Sequence, residues 1–203
     1  MLSINFRRNR KTVILDFGHG GVLNGEYQTS GKRSPVWENG TRYFEGVGNR
    51  LIGAHVVEAL TLFRVPFVIV SDQQNDNSLD NRCIRANHFY DTVSKDCFLV
   101  SLHSNAGGGK GSEFYHYKGS NAGCDLAMVF SHAYSSTYRD PFVNRGVKEC
   151  NFQICRDTKM PAVLLEYFFM DNEYECKNIL MTDSGRRGIA KNIVNAILAI
   201  QII

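Results

Sequence analysis

The 203-residue sequence contains no apolar run approaching the roughly 20 residues of a membrane span, so stable membrane insertion is not expected. No run of Lys or Arg exceeds a pair such as Arg7-Arg8, and no basic stripe is interleaved with aromatics. Both absences argue against a nucleic-acid partner. The six cysteines include no CxxC spacing, and a chain of this size builds a core of its own. We therefore read them as reduced structural residues and not as a disulfide framework. Cys97, inside the apolar run CFLVSLH, reads as a small core residue. The opening MLSINFRRNRKTVILDF places basic residues after a very short apolar patch, the reverse of a secretory leader, so no signal peptide is read. There is no internal repeat and no low-complexity linker.

What remains is the composition of an ordinary globular protein, 43% apolar and 21% charged. The formal charge of +3 is mildly basic and compatible with an anionic polymer. The length suits one well-buried domain, with a core at about residues 11–201, and is short for two.

Apolar runs and turn residues alternate along the chain. TVILDF (12–17) reads as a strand ended by GHGG. Residues 20–42, rich in Gly, Asn, Ser and Pro, read as a long loop, and such loops are usually functional. From Tyr43 to Phe63 the spacing of Ile52, Val56, Ala59 and Phe63 is helical. PFVIVS (66–71) reads as a strand, and SLDNRCIRANHFYDTV (78–93) as a helix capped by Ser78 or Asp80. CFLVSLH (97–103) and a more exposed EFYHYK (113–118) follow as strands, then a helix over 121–137. FQIC (152–155) and AVLLEYF (162–168) read as two further strands. Helices near 172–181 and 184–201 close the chain, the last with Ile189, Ile193, Ile197 and Ile200 on one face. This order predicts an α/β fold: a mostly parallel sheet of about six strands with helices on both faces.

Three groups able to hold a metal or a proton end buried-type strands: His19 after VILDFG, His103 at the end of CFLVSLH, and Glu166 at the end of AVLLE. In a parallel sheet those ends share one edge, where ligands bind. Glu45 opens the helix that a strand–helix loop returns to that edge. Two histidines and a glutamate are a common ligand set for catalytic zinc, and amide hydrolysis needs a further carboxylate to carry a proton, for which Glu166 is available. Taken singly, His19 or His103 reads more readily as a hydrogen-bonded histidine, Glu45 as a residue favoured by the helix dipole, and Glu166 as a salt-bridged strand end. Their convergence carries the argument.

At these residues the sequence resembles the zinc-dependent N-acetylmuramoyl-L-alanine amidases of the type-3 amidase family. The resemblance runs from Val13 to about Ile200, through LDFGHGG (15–21), FEGVGNRL (44–51), LDNRCIRAN (79–87), FLVSLHSNA (98–106), GSEFY (111–115) and RGVKECNFQICRDTKMPAVLLEYFFMDN (145–172). It implies a six-stranded twisted sheet and one zinc ion held by His19, Glu45 and His103, with Glu166 as acid and base. It also implies hydrolysis of the amide between the lactyl group of N-acetylmuramic acid and L-alanine in peptidoglycan. Asn105, Glu113 and Arg145 match family positions and are expected either to touch the muropeptide or to support those that do.

The chain departs from the family in places. The stretch from His19 to Glu45 is longer than usual and also contains Glu26 and Glu38, either of which is an alternative carboxylate ligand. Its Lys32 and Arg33 read equally as holders of a substrate anion and as solvated loop charges. SDQQND (71–76) stands where Thr-Arg is common, and EYFFMDN carries bulky residues where small ones are usual. The segment from Glu113 to Arg145 is short, with no room for a built-in blocking helix, and no wall-binding module is read. The expectation is a bare catalytic domain, either a phage lysis enzyme released from the cytoplasm or a domain trimmed from an exported bacterial protein. A zinc peptidase acting on stem peptides and a catalytically silent wall-binding protein are the alternatives.

Overall fold

The computed structural model describes residues 10–202. The opening residues read above for a leader, Arg7-Arg8 among them, lie outside the described residues. Eight strands and six helices follow in the order β1 (Thr12–Phe17), β2 (Val22–Leu23), β3 (Glu26–Tyr27), α1 (Glu45–Leu62), β4 (Phe67–Ile69), α2 (Leu79–Thr92), β5 (Cys97–Asn105), β6 (Ser112–Tyr117), α3 (Asn121–Thr137), β7 (Asn144–Cys150), α4 (Gln153–Arg156), β8 (Ala162–Phe169), α5 (Glu173–Glu175) and α6 (Asp183–Ile200), with a π-helical turn over Cys176–Leu180.

Six strands form one sheet in the order β4-β1-β5-β8-β6-β7. All neighbours are parallel except β6 and β8. The chain leaves β1 for β4 on one side, then returns through α2 to β5 on the other. The order therefore reverses between β1 and β5, the place where open sheets of this kind bind ligands.

Alternation along the strands divides the core in two. Val13 and Leu15 of β1, Phe98, Val100 and Leu102 of β5, and Val163 and Leu165 of β8 pack beneath α1, α3 and α6. Ile14, Leu99, Ala162 and Leu164 face the other way, against Cys83 and Ala86 of α2 and Ile154 and Cys155 of α4. Asp16, Ser101, His103 and Glu166 continue this second face towards the strand ends. No helix among the described residues is long and apolar enough to cross a membrane.

The expected sheet with helices on both faces is present, and several local readings are corrected. Residues 152–155 are not a strand: Phe152 caps the short helix α4, and Ile154 and Cys155 are both buried in succession, which an alternating strand does not do. The sixth strand is β7, hidden in the sequence because a half-exposed edge strand, NRGVKEC, carries little apolar pattern. β6 is mostly buried, contrary to expectation, because β8 and β7 flank it. In α1 the core position is Leu60, while Phe63 lies past the helix end and is exposed. The loop 20–42 contains the small β2–β3 hairpin and an Arg33–Phe44 bridge. Ser78, not Asp80, caps α2, accepting from the Asn81 amide.

Leu99 is fully buried at the centre of the smaller core face. Leu99→Ala should lower stability by about 2–5 kcal/mol, read by urea unfolding with an unchanged m value. A loss below 1 kcal/mol would mean that this face is not close-packed.

Candidate metal centre

His19 follows β1 in left-handed backbone conformation, with φ +64°. That geometry is costly for a residue other than glycine, so something must hold it. Its carbonyl accepts from two guanidinium groups, Arg50 Nη2 at 2.7 Å and Arg82 Nη2 at 3.0 Å. Arg82 is itself buried and spends its other donors on Asp16 (2.6 Å), Phe17 O, Asn77 O and Asp76. The second Asp16 oxygen accepts from Ser101 at 2.6 Å. Gly18 packs so closely on the His103 ring that a Cβ there would run into the imidazole. In α1, a Cβ on Gly46 would strike the Gly20 carbonyl, so this glycine lets the helix start approach the loop.

Glu45, the first residue of α1, is buried and faces both histidines. Its Oε2 lies 3.2 Å from His19 Nε2 and its Oε1 3.0 Å from His103 Nδ1. The Ser104 amide also donates to Oε1, at 3.2 Å. Among the described residues, His19, Glu45 and His103 are the one group of His, Cys, Asp and Glu side chains placed to share a metal ion, with ligand atoms within 4.8 Å of one another. Atoms bound to one tetrahedral zinc at about 2.0–2.2 Å stand roughly 3.3 Å apart, so the donor types and spacing are consistent with zinc. Glu26, on β3, and Glu38, in the loop, are exposed and outside this group.

Burial would raise the Glu45 carboxyl pKa, but hydrogen bonds and charge from His103 and His19 outweigh it and hold the group well below the usual carboxylate range. Burial opposes the charged form of His103, yet its bond to Glu45 and the nearby Glu45 and Glu166 charges raise its pKa. Glu166 sits opposite His103 across the β5–β8 pairing. Its Oε2 is buried with no hydrogen-bond partner. Burial pushes this carboxyl up to about 7, against the pull of His103.

The cluster opens into a cleft of about 420 Å³, lined by His19, His103, Glu166, Lys32, Leu79 and Phe152 among others. A larger groove of about 600 Å³ between α3 and α6 contains none of the three donors or Glu166. Lys32 and Arg33 are both exposed, but only Lys32 lines the cleft. Asn105 and Arg145 converge on Glu113, which accepts from Asn105 Nδ2 at 2.7 Å, Tyr115 Oη at 2.6 Å, Arg145 Nε at 2.5 Å and Lys148 Nζ at 2.5 Å. Glu113 pairs with Glu166 across β6 and β8, so this cluster adjoins the cleft. Burial opposes its charge, but these four donors bring the Glu113 pKa down to about 2. Sequence reasoning missed Asp16, Arg50 and Arg82. The signal available for Asp16 was a carboxylate inside the apolar run VILDF, which requires a buried cation.

A family model described as N-acetylmuramoyl-L-alanine amidase matches residues 13–199. The endolysin of Bacillus phage SPP1 is 31% identical over 196 residues, 94% of this chain and 66% of that protein. The N-acetylmuramoyl-L-alanine amidase CwlM of Bacillus licheniformis is 36% identical over 102 residues, 49% of this chain and 40% of that protein. The chain therefore spans less than two thirds of either relative. Among solved structures, an N-acetylmuramoyl-L-alanine amidase from Clostridium difficile 630 superposes with a TM-score of 0.75 at 25% identity, covering 95% of this chain and 97% of that one.

Two predictions follow from the charges around the site. Arg82→Met leaves Asp16 buried and unpaired and should cost about 3–5 kcal/mol in urea unfolding. Arg85→Met, which removes a surface partner of Asp72, should cost about 1 kcal/mol or less. Equal losses would show that the buried pair does not anchor this edge. Glu113 has a folded pKa below its ordinary value of 4.5, so its contribution is present above about pH 4.5 and is lost as pH falls through about 2. The stability difference between wild type and Glu113→Gln should shrink across that window; a difference independent of pH would remove the charge-based account.

Proposed function

The chain belongs to the N-acetylmuramoyl-L-alanine amidase family, and from that premise we propose that it hydrolyses the amide joining the lactyl group of N-acetylmuramic acid to L-alanine in peptidoglycan, with one zinc ion held by His19, Glu45 and His103. The observation that carries this reading is a carboxylate with one buried, unpartnered oxygen, Glu166, beside two imidazoles and a carboxylate whose donor atoms converge. When bound, zinc supplies a Lewis acid that polarises the scissile carbonyl and makes water a nucleophile near neutral pH.

The protein's own groups do the rest. Glu166 takes the proton from the attacking water and returns it to the leaving L-alanine nitrogen. A pKa near 7 suits both halves of that exchange, since the group gives and takes a proton at little cost. The two histidines would each offer a ring nitrogen to the metal, and Glu45 would supply the compensating negative charge. Lys32, on the cleft wall, is placed to hold an anionic group of the muropeptide. Arg145 and Asn105 flank Glu166 through Glu113 and position the stem peptide. Residues 11–201 act as one catalytic domain. The resemblance to a phage endolysin favours release from the cytoplasm onto the wall over a role as one domain of an exported bacterial protein.

Purified wild type should carry about one zinc per chain and His19→Ala close to none. Glu166→Gln should keep its zinc and lose turnover by about 10²-fold or more. Mass analysis of digested wall should find free L-alanine amino groups and intact glycan. Cuts within the stem peptide would make the protein a peptidase. Wall binding without amine release in the zinc-loaded protein would make it a silent binder. Full turnover by Glu166→Gln would remove that residue from the proton path.

A further inference from the structure

The loop over residues 20–42 meets the metal centre from outside. The helix it leads into, α1, opens on Glu45 without a side-chain cap, because its N-cap residue is Phe44. A helix start leaves backbone amides that need partners from elsewhere. Here the loop supplies them. The Glu45 amide donates to the Lys32 carbonyl at 3.0 Å, and the Gly46 amide donates to Tyr27 Oη at 3.0 Å. The Tyr27 hydroxyl in turn donates to the Lys32 carbonyl at 3.0 Å, and its ring lies 4.7 Å from that of Phe44.

The carbonyl of the same glycine is held as well. Arg50 Nη1 donates to Gly46 O at 2.8 Å, while Nη2 reaches the His19 carbonyl at 2.7 Å. Nε and Nη2 also donate to the Asp72 carbonyl, at 3.0 and 2.5 Å. These bonds all end on backbone, unlike those of Arg82, which include two carboxylates. One guanidinium thus joins the peptide next to Glu45 to His19 itself. At the same point Gly46 rests on the Gly20 carbonyl with no room for a Cβ, so the two ligand-bearing segments touch directly.

We propose that Tyr27 and Arg50 are positioning residues for the metal centre: they clamp Gly46 by its amide and its carbonyl and so fix the separation of the Glu45 and His19 backbones. This rests on the zinc reading above and adds to it a role for the long loop. Zinc takes nitrogen and oxygen ligands at about 2.0–2.2 Å and tolerates departures of about 0.2 Å. His103 meets that demand from within β5, where ladder bonds hold its backbone on both sides. The other two ligands have no such support. His19 lies past the end of β1 in left-handed conformation, with φ +64°, and Glu45 is the first residue of a helix, where helices fray. The clamp joins these two less supported ligands. Neither Tyr27 nor Arg50 belongs to the ligand group, so both act through the residues they hold. Tyr27→Phe removes the acceptor from the Gly46 amide and keeps the ring that packs on Phe44. Arg50→Met removes the donors to Gly46 and His19.

The full chain, stripped of metal, is titrated with zinc against a chromogenic chelator, and separately with Co²⁺ followed by visible absorption. Tyr27→Phe and Arg50→Met should each bind zinc about tenfold or more weakly than wild type, the usual loss when a group behind a metal ligand is removed. At Co²⁺ saturation both should show visible bands that differ from those of wild type, because the bands report the arrangement of the ligands and not the stability of the fold. Gln28→Ala alters the same loop, where the Gln28 side-chain amide donates to the Glu26 carbonyl and not to the clamp, and should match wild type in both measurements. Urea unfolding of the metal-free Tyr27→Phe protein should retain the single cooperative transition of wild type. Wild-type zinc affinity and wild-type Co²⁺ bands in Tyr27→Phe would overturn the proposal, as would an equal loss in Gln28→Ala. Weak binding by a Tyr27→Phe protein that has lost its urea transition would replace positioning with a role in folding. Wild type that takes up neither ion would overturn the zinc reading and this one with it, an outcome distinct from a wild type that binds and a Tyr27→Phe that binds equally well.

Discussion

The buried pair of Asp16 and Arg82 is the constraint on which the edge of the sheet depends. Both side chains are almost wholly removed from solvent, so each must have its polar atoms satisfied or the fold pays several kcal/mol. Arg82 meets that demand with bonds that bind separate pieces of chain together. It ties α2 to the end of β1, to the loop at Asp76 and Asn77, and to the His19 carbonyl. Asp16 ties β1 to β5 through Ser101. The strained backbone of His19 is thereby fixed by a network whose Asp16, Asp76, Asn77 and Arg82 also line the cleft.

On the other side of the centre, β8 is shaped by a comparable device. His103 pairs with Glu166, but Asn105 pairs with Phe169, so β8 holds one residue more than β5 over this stretch. The surplus is absorbed where Phe168 takes a φ of +58°. Its ring is fully buried among Tyr134, Tyr138 and Phe142, which holds the backbone in that conformation. Beyond the bulge, Glu175 accepts from the Phe169 and Gly111 amides, and Asp171 from those of Gly107 and Gly108, so the glycine-rich loop after β5 is pinned to the same corner. Glu166 thus stands between two rigid features, the bulge behind it and the Glu113 cluster beside it.

How much of this could be read in the sequence follows from what periodicity records. Strands buried on both faces, such as TVILDF, CFLVSLH and AVLLEYF, announce themselves as apolar runs, and the polar residues that end them mark the ligand edge. β7 did not announce itself, because an edge strand that is half solvated has no such run, while FQIC imitated one within a single helical turn. His19, His103 and Glu166 were legible because they terminate strands. Glu45 was legible only alongside Glu26 and Glu38, since a carboxylate in or after a long loop has no periodicity to place it; the folded path of that loop is what separates them. Arg82 was invisible as a functional residue, because on a helix an arginine reads as solvated, and its burial is known only once Asp16 is seen to need it.

The two carboxylates at the centre show how environment divides one chemical group into two roles. Glu45 has each oxygen engaged, Oε1 by His103 and the Ser104 amide and Oε2 by His19, and every one of these contacts favours its ionised form. It is a fixed charge, suited to holding a cation and unsuited to exchanging a proton. Glu166 is only half-buried, yet one of its oxygens is buried without a partner, and no hydrogen bond offsets the loss of solvent that raises its pKa. Its charged and neutral forms are therefore closely balanced, which is the condition for a group that must give and take a proton in one turnover. Exchanging the hydrogen bonds of the two residues would exchange their chemistry. The assignment of roles thus rests less on where Glu45 and Glu166 fall in the sequence than on the count of donors that the fold brings to each.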